Sequence, residues 1–118
     1  MEEQIAQDHW MTFLNDFNKT HHGYEASIEI VGRDFGDQEE TAWLPFSGIS
    51  YDPHHHQIIV TVGGISSRYP AHLTHMIDQP TKLQVHRATG GEPMAILIGA
   101  PDQPETLVRL RRQGQLTA

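Results

Sequence analysis

Three consecutive histidines, His54, His55 and His56, form the group whose residue types and spacing point most directly to chemistry. Imidazole is the commonest metal ligand among side chains, and it suits zinc, copper and nickel. Asp52-Pro53 before them predicts a turn, and three imidazoles at the tip of a hairpin can bend around one ion. The alternative is a polar turn in water, because metal sites usually take ligands from separate elements. The sequence thus offers a divalent-metal site at His54, His55 and His56 and predicts no other cofactor.

A second histidine pair, His72 and His75, is spaced three residues apart. On a helix this spacing puts both rings on one face, whereas on a strand it points them to opposite faces. The residues around the pair favour a strand, so we do not expect the two rings to chelate a metal. One of them is expected to hydrogen-bond in the interior while the other faces solvent.

Side-chain sets for catalysis are missing from the sequence. The chain has no cysteine, and its serines lie in no Gly-x-Ser-x-Gly turn of the kind that exposes a nucleophile. The segment 63–68, Gly-Gly-Ile-Ser-Ser-Arg, lacks the glycine spacing of a phosphate-binding loop. We therefore name no catalytic residue and expect a protein that is not an enzyme.

The composition predicts one domain without affinity for nucleic acid or membranes. The 118 residues suit a single domain, and 8 basic against 15 acidic side chains give a net charge of −7. This charge opposes general attraction to nucleic-acid backbones and anionic lipid surfaces. The longest apolar run, residues 94–100, is too short to span a bilayer. The lack of cysteine is typical of a reducing compartment, so we expect a cytoplasmic protein.

Three of the basic residues, Arg109, Arg111 and Arg112, fall within four positions. Such a run can bind phosphate, but it is more typical of an exposed edge strand that its charges protect from pairing with another chain. We therefore expect the last strand, over residues 106–110, to lie at an edge of a sheet.

The residues that could position these groups begin with one helix, predicted over residues 8–22. Its apolar stripe has the i, i+3, i+4, i+7 spacing of a helix face and consists of Trp10, Phe13, Leu14 and Phe17. Asp8 is placed to cap the first turn, and Gly23 is placed to end the helix in a left-handed conformation.

After residue 23 the apolar period changes from helical to alternating, which predicts strands. Pro45 and Gly48 interrupt the second of them and predict a bulge or a bend. The predicted strands cover residues 24–30, 41–51, 57–62, 72–77, 82–87, 94–98 and 106–110. The expected fold is mainly β (α+β): an N-terminal helix and then a small antiparallel β-barrel or rolled sheet of 5–7 strands. One domain is expected over 1–118, with a β-rich body over 24–111 and a frayed tail over 112–118.

Five aromatic side chains form a candidate interaction surface. Three come from the helix and two from the second strand: Trp10, Phe13, Phe17, Trp43 and Tyr51. The alternative is ordinary core packing, since aromatic residues dominate cores and interfaces alike. The leading interpretation is a non-enzymatic binding module that self-associates into a homo-oligomer. Metal binding through the three histidines is the first alternative.

Three groups of landmarks in chain order resemble those of a bacterial protein family of unknown function. They run from the predicted helix to the fourth strand and read Trp10-x-x-Phe13 with Phe17, then Leu44-Pro45-x-x-Gly48-Ile49-x-x-Asp52, then His72-Leu73-Thr74-His75-x-Ile77-x-x-Pro80. The resemblance implies a stand-alone soluble bacterial protein of about this length. It transfers no catalytic residue.

The predicted architecture is also similar to the Sm-like and other SH3-like small barrels, many of which bind RNA. Their nucleic-acid loop usually carries an Asp followed shortly by an Asn, whereas here Asp52 is followed by Pro53 and histidines. Their late Arg-Gly pair is replaced by Arg87-Ala88-Thr89-Gly90. An Sm-like nucleic-acid-binding module is the second alternative function.

Overall fold

The fold was obtained as a computed structural model that describes residues 2–32, 36–39, 43–63, 72–88 and 93–112. These ranges contain one α-helix and nine strands. In chain order the elements are β1 Glu2–Gln4, a 3-10 turn Gln7–His9, α1 Trp10–Thr20, β2 Tyr24–Gly32, β3 Gly36–Glu39, β4 Leu44–Asp52, β5 Gln57–Gly63, β6 His72–Asp78, β7 Lys82–Arg87, β8 Pro93–Gly99 and β9 Glu105–Arg112.

Helix α1 is shorter than the predicted span of 8–22. Asp8 lies in the 3-10 turn, and the N-cap position belongs to His9, whose side chain makes no capping hydrogen bond. The first turn is held instead by the indole of Trp10, whose Nε1 donates to the Ile5 carbonyl at 2.9 Å. The predicted capping role of Asp8 is therefore wrong. Gly23 ends the segment at φ +86°, the left-handed conformation predicted for it.

The strands form an antiparallel arrangement behind an N-terminal helix, so the prediction of a mainly β fold is confirmed. The strand order is β1-β7-β8-β9-β2-β4-β5-β6, with β3 as a further partner of β2. The predicted detail of 5–7 strands in a barrel is not confirmed, because the described residues hold nine strands and β1 and β6 end the order without pairing with each other. Strands β1 and β3 were missed because three or four residues are too short to show a period.

Strand β2 is the point at which the arrangement divides into two sheets. One edge of β2 pairs with β9 over eight residue pairs. The other edge pairs with β4 only at Glu25↔Pro45 and Ala26↔Leu44, and further along it pairs with β3. Strands β4, β5 and β6 therefore leave the first sheet and form a second one. The register of β4 on β5 shifts between Phe46 and Gly48, which confirms the predicted bulge.

The gap that opens beside β4 is filled by a side chain of the helix. The amide nitrogen Nδ2 of Asn18 donates to the Ile49 carbonyl at 2.9 Å, and the Ile49 N–H donates to Oδ1 of Asn18 at 3.0 Å. The amide thus takes the hydrogen-bonding position that a neighbouring strand would occupy. These two hydrogen bonds fix α1 against the second sheet and satisfy backbone groups that β2 no longer reaches.

One apolar core joins the helix and both sheets. Alternate residues of the strands point into it, and it is made of Trp10, Leu14, Phe17, Ala26, Ile28, Phe46, Ile49, Ile58, Val60, Val62, Ile77, Leu83, Val85, Ile96, Ile98, Val108 and Leu110. Seven strands predicted from alternation are found within a few residues of their expected bounds. Arg112 still belongs to β9, and residues 113–118 of the predicted tail lie outside the described residues.

Candidate functional site

The three histidines at the β4–β5 turn have separate surroundings. The Asp52 carboxylate accepts hydrogen bonds from the backbone N–H groups of His54 and His55 at 2.9 and 3.4 Å. Its other oxygen lies 2.8 Å from Nδ1 of His55. His56, in the left-handed region at φ +51°, turns away and places Nδ1 2.7 Å from the hydroxyl of Tyr51. Asp52 therefore holds the backbone of the turn, whereas the His56 side chain points away from the other two histidines and contacts Tyr51 of β4.

Asp52 is the acid whose titration this geometry changes. The hydrogen bond from the His55 side chain, helped by the two backbone N–H groups, holds the pKa of Asp52 below its ordinary value. Both His54 and His55 remain exposed on the turn. Within the described ranges, no group of three or more histidine, aspartate or glutamate side chains could hold a metal ion. The metal role of His54, His55 and His56 stays a prediction.

The five aromatics proposed as a contact surface are divided between core and surface. Trp10 and Phe17 are 1% and 2% exposed, so for these two residues the alternative of core packing holds. Trp10 stands edge-on to Tyr51 with ring centroids 5.2 Å apart. Phe13 and Tyr51 are half-buried against the core. Trp43 is half-buried below the guanidinium of Arg111, which lies 4.3 Å from its ring centroid.

Two shallow grooves, each of about 440 Å³, flank the start of α1. Gln7, Asp8, Met11 and Tyr51 line the first groove. Phe13 and His9 lie in the second, among residues of the N-terminal strand and its connection to the helix. Two of the predicted contact residues, Phe13 and Tyr51, thus reach solvent beside open grooves, whereas Trp10 and Phe17 do not.

The arginine-rich strand β9 is central, and the prediction that it lies at an edge is wrong. It pairs with β8 on one side and with β2 on the other. The guanidinium of Arg111 lies 2.9 Å from the Glu25 carboxylate, and that of Arg109 lies 3.4 Å from Glu29. Alternation puts these arginines on the outer face, where acids of β2 pair with them, so here the charges match across strands.

The prediction for the second histidine pair can be followed for His75 alone. His75 is half-buried, and its Nε2 lies 3.2 Å from the Thr106 hydroxyl of the opposite sheet. The side chain of His72 is outside the described part of the chain.

A further histidine, His21, is fully buried: its Nδ1 donates to the Phe17 carbonyl at 3.0 Å, and its ring stacks on Phe17. A position directly after a helix gave no signal that this ring would be buried.

The outer edge of β6, the side facing away from β5, combines apolar side chains with a strand edge that no described strand pairs with. Three large apolar side chains of the described ranges are exposed, and two belong to β6: Met76 at 58% and Leu73 at 38%. The third is Met11 on the helix. Strand β6 also contains no lysine, arginine or proline, the residues that usually protect an edge.

The other edges of the arrangement differ from β6 in length and charge. Strand β1 has three residues, two of them glutamates, and β3 has four, two of them acidic. Short and charged edges discourage pairing with another chain. Strand β6 has seven residues and only one formal charge, that of Asp78. The sequence carried this signal, but it could be read only after the strand order showed which strands lie at an edge.

Searches against known proteins place the chain among uncharacterised relatives. An uncharacterised protein of Aquifex aeolicus (strain VF5) is 33% identical over 49 residues, which cover 42% of this chain and 44% of that protein. No solved structure matches. Among the described residues, no helix is long and apolar enough to cross a membrane. A family model described as a family of unknown function, DUF5335, matches residues 1–118, which confirms the resemblance found from the landmarks and shows that the chain belongs to that family.

Proposed function

We propose that this protein is a non-catalytic interaction module that associates with itself through the outer edge of β6. The observation that carries the proposal is the combination of edge position, length and apolar exposure in one strand. Met76 and Leu73 are exposed there, and β6 carries a single formal charge. An edge strand of this kind is a template for another strand, because its outward N–H and C=O groups have no partner among the described strands.

The energetic gain from pairing has two sources. Burying a fully exposed methionine or leucine side chain contributes about 1.5–3 kcal/mol. Met76 and Leu73 are already partly buried, so each gains only a part of this. Each backbone hydrogen bond across a new strand pair adds roughly 0.5–1.5 kcal/mol net. The overall charge of −7 opposes association of two copies. This repulsion is weak at β6 itself, where Asp78 is the one acid of the strand.

A binding role is also supported by how the titratable groups are used. The pair His55 and Asp52 lies on an exposed turn, where the carboxylate serves the backbone of that turn. The arginines of β9 pair with glutamates of β2. We propose that the module works in the cytoplasm, a setting supported by a sequence without cysteine.

Analytical ultracentrifugation of the native chain and two variants tests the proposal. Met76→Lys places a charge on the β6 edge, whereas Met11→Lys makes the same change at an exposed methionine of α1 that lines the Tyr51 groove. We expect the native chain and Met11→Lys to sediment as a concentration-dependent oligomer and Met76→Lys to sediment as a monomer. The loss expected from a buried charge at an interface exceeds about tenfold in affinity.

Two results would contradict the proposal. A native chain that is monomeric at all concentrations up to the limit of solubility removes self-association altogether. Dissociation by Met11→Lys with no effect of Met76→Lys assigns the contact to the groove beside α1 instead of β6. Circular dichroism of each variant confirms that the fold is retained before its sedimentation is interpreted.

A further inference from the structure

We infer that two copies of the chain pair their β6 strands antiparallel about a two-fold axis through His75, which joins two three-stranded sheets into one sheet of six strands. This inference rests on the proposed self-association and specifies its geometry. The order across the joint sheet is β4-β5-β6 followed by β6-β5-β4 of the second copy. A two-fold arrangement suits a homodimer because the same edge serves both partners.

Successive residues of β6 direct their backbone N–H and C=O groups alternately to β5 and to the outer edge. This alternation, the hydrogen-bonding phase of β6, decides which residues can bond to a further strand. The Gln79 N–H donates to the His56 carbonyl at 2.9 Å, next to the pair Gln57↔Asp78 in the register of β5 on β6. Hydrogen-bonded and non-hydrogen-bonded pairs alternate in an antiparallel ladder. His75 therefore directs its backbone groups to β5, whereas Thr74 and Met76 direct theirs to the outer edge.

This phase limits the positions that a two-fold axis can take. Groups at the edge can bond only to other groups at the edge, so Thr74 and Met76 must pair with residues of the same class. An axis midway between two neighbouring residues would pair one class with the other and leave no hydrogen bonds. An axis through His75 pairs Thr74 of each copy with Met76 of the other, and these residues form four backbone hydrogen bonds.

Two neighbouring registers keep the phase but fit less well. An axis through Met76 leaves His72 and Leu73 beyond the end of the pairing, because the strand ends at Asp78. An axis through Thr74 leaves Ile77 and Asp78 beyond the end of the pairing. An axis through His75 lies at the middle of His72–Asp78 and pairs the whole strand.

The side chains of the central register complement each other on both faces. On the outer face, Met76 contacts Thr74 of the second copy. This contact buries part of the methionine side chain, which is 58% exposed in a single copy. On the inner face, Leu73 meets Ile77 of the second copy. Ile77 already lies in register with Ile58, which pairs with Tyr51. The exposed Leu73 thus extends an existing apolar row from one copy into the other.

Single cysteines introduced into this cysteine-free chain test the register. Across the axis, the two copies of residue 75 form a non-hydrogen-bonded pair with Cα atoms about 4.5 Å apart. That separation lies within the range that a disulfide accepts, about 4.4–6.8 Å. The two copies of residue 74, or of residue 76, are diagonal neighbours at about 7–8 Å, beyond this range. His75→Cys should therefore cross-link with itself, and Thr74→Cys or Met76→Cys should not.

The expected result is oxidation of His75→Cys to a covalent dimer at least tenfold faster than Thr74→Cys or Met76→Cys. Ser50→Cys, at an exposed position of β4, measures the background from random collisions. Mixing Thr74→Cys chains with Met76→Cys chains should give the mixed disulfide faster than either homodimer. This mixture also decides the register if the His75→Cys chain folds poorly after loss of its contact with Thr106.

The outcomes separate failure of this register from failure of the proposed function. Fastest cross-linking of Met76→Cys or Thr74→Cys moves the axis and overturns the inference. A native chain that sediments as a dimer while every β6 cysteine cross-links at the Ser50→Cys rate also overturns it, and leaves self-association standing through another surface. A monomeric native chain removes the proposed function and this inference with it.

Discussion

Asp52 shows how one carboxylate shapes the surface that carries the three histidines. It accepts two backbone N–H groups of the turn and lies 2.8 Å from Nδ1 of His55. These bonds favour the ionised carboxylate, the largest effect coming from the His55 side chain. An aspartate followed by such a turn is a common local arrangement, since its side chain bonds to the backbone two residues on. The histidine run is therefore presented by a turn with a fixed shape.

Replacing Asp52 by Asn is expected to lower stability near neutral pH and to have little effect in strong acid. A carboxyl whose pKa falls on folding adds stability above its unfolded pKa, and the contribution disappears as the pH falls through the folded pKa. The pKa of Asp52 is lowered from 3.8. The midpoint of urea unfolding should therefore be lower in the variant at about pH 6, and the two midpoints should converge as the pH falls through the lowered pKa of Asp52.

Asp16→Asn is the control for this experiment, because it makes the same change of charge at an exposed position of α1. The urea midpoint of Asp16→Asn is expected to differ from that of the native chain by a small amount, and this difference should not change over the pH range in which Asp52 titrates. A constant difference between Asp52→Asn and the native chain from pH 6 to pH 2 would contradict the proposed role of the ionised carboxylate.

At the scale of elements, Asn18 joins the helix to the second sheet. Its amide makes two hydrogen bonds to the backbone of Ile49 at the place where β4 leaves β2. Replacing Asn18 by Ala leaves a part-buried N–H and C=O without these partners. Such a loss costs about 1–3 kcal/mol of the free energy of unfolding. The helix propensity of Ala offsets a few tenths of this.

Urea unfolding followed by circular dichroism measures the effect of Asn18→Ala. Asn15→Ala is the matched control, since Asn15 is exposed on the same helix and the change should stay within about 0.5 kcal/mol. Equal unfolding free energies for the two variants would show that the Asn18 bonds contribute nothing measurable to holding α1 on β4.

Strands and helix could be predicted from the sequence because their side chains repeat with the period of one element. Alternation across residues 24–30 and the stripe of Trp10 to Phe17 depend only on which face is buried. The strand order could not be predicted in this way. Strand β2 has three partners, and the arginine run of β9 reads the same at an edge as in the middle of a sheet. Only the glutamates of β2 that pair with these arginines distinguish a central position of β9 from an edge position.

The same reasoning explains how much of the candidate site was predictable. The run His54 to His56 is visible in the sequence, but the turning of His56 towards Tyr51 depends on a left-handed residue at the end of the turn. The β6 edge was predicted as a strand and not as a surface. Its exposure follows from which strands flank it, and this is a property of the whole sheet.

Across the whole molecule, the basic side chains of the described residues are largely matched by acids. Four ion pairs connect strands of the first sheet: Lys82 of β7 with Glu105 of β9, Arg87 of β7 with Glu3 of β1, and Arg109 and Arg111 of β9 with Glu29 and Glu25 of β2. Nucleic-acid binding depends on lysines and arginines that are available to phosphates. The remaining charge is strongly negative, so the field of the molecule repels a polyanion.

We therefore expect no binding of single-stranded RNA at about 0.15 M salt, with a dissociation constant weaker than about 10⁻⁴ M by fluorescence anisotropy. The double variant Glu25→Gln/Glu29→Gln is the informative comparison, because it releases Arg111 and Arg109 from their partners and reduces the negative charge by two. Gain of weak, salt-sensitive binding in this variant would show that acid pairing keeps the first sheet from phosphates. Micromolar binding by the native chain that weakens steeply with salt would instead support the Sm-like alternative.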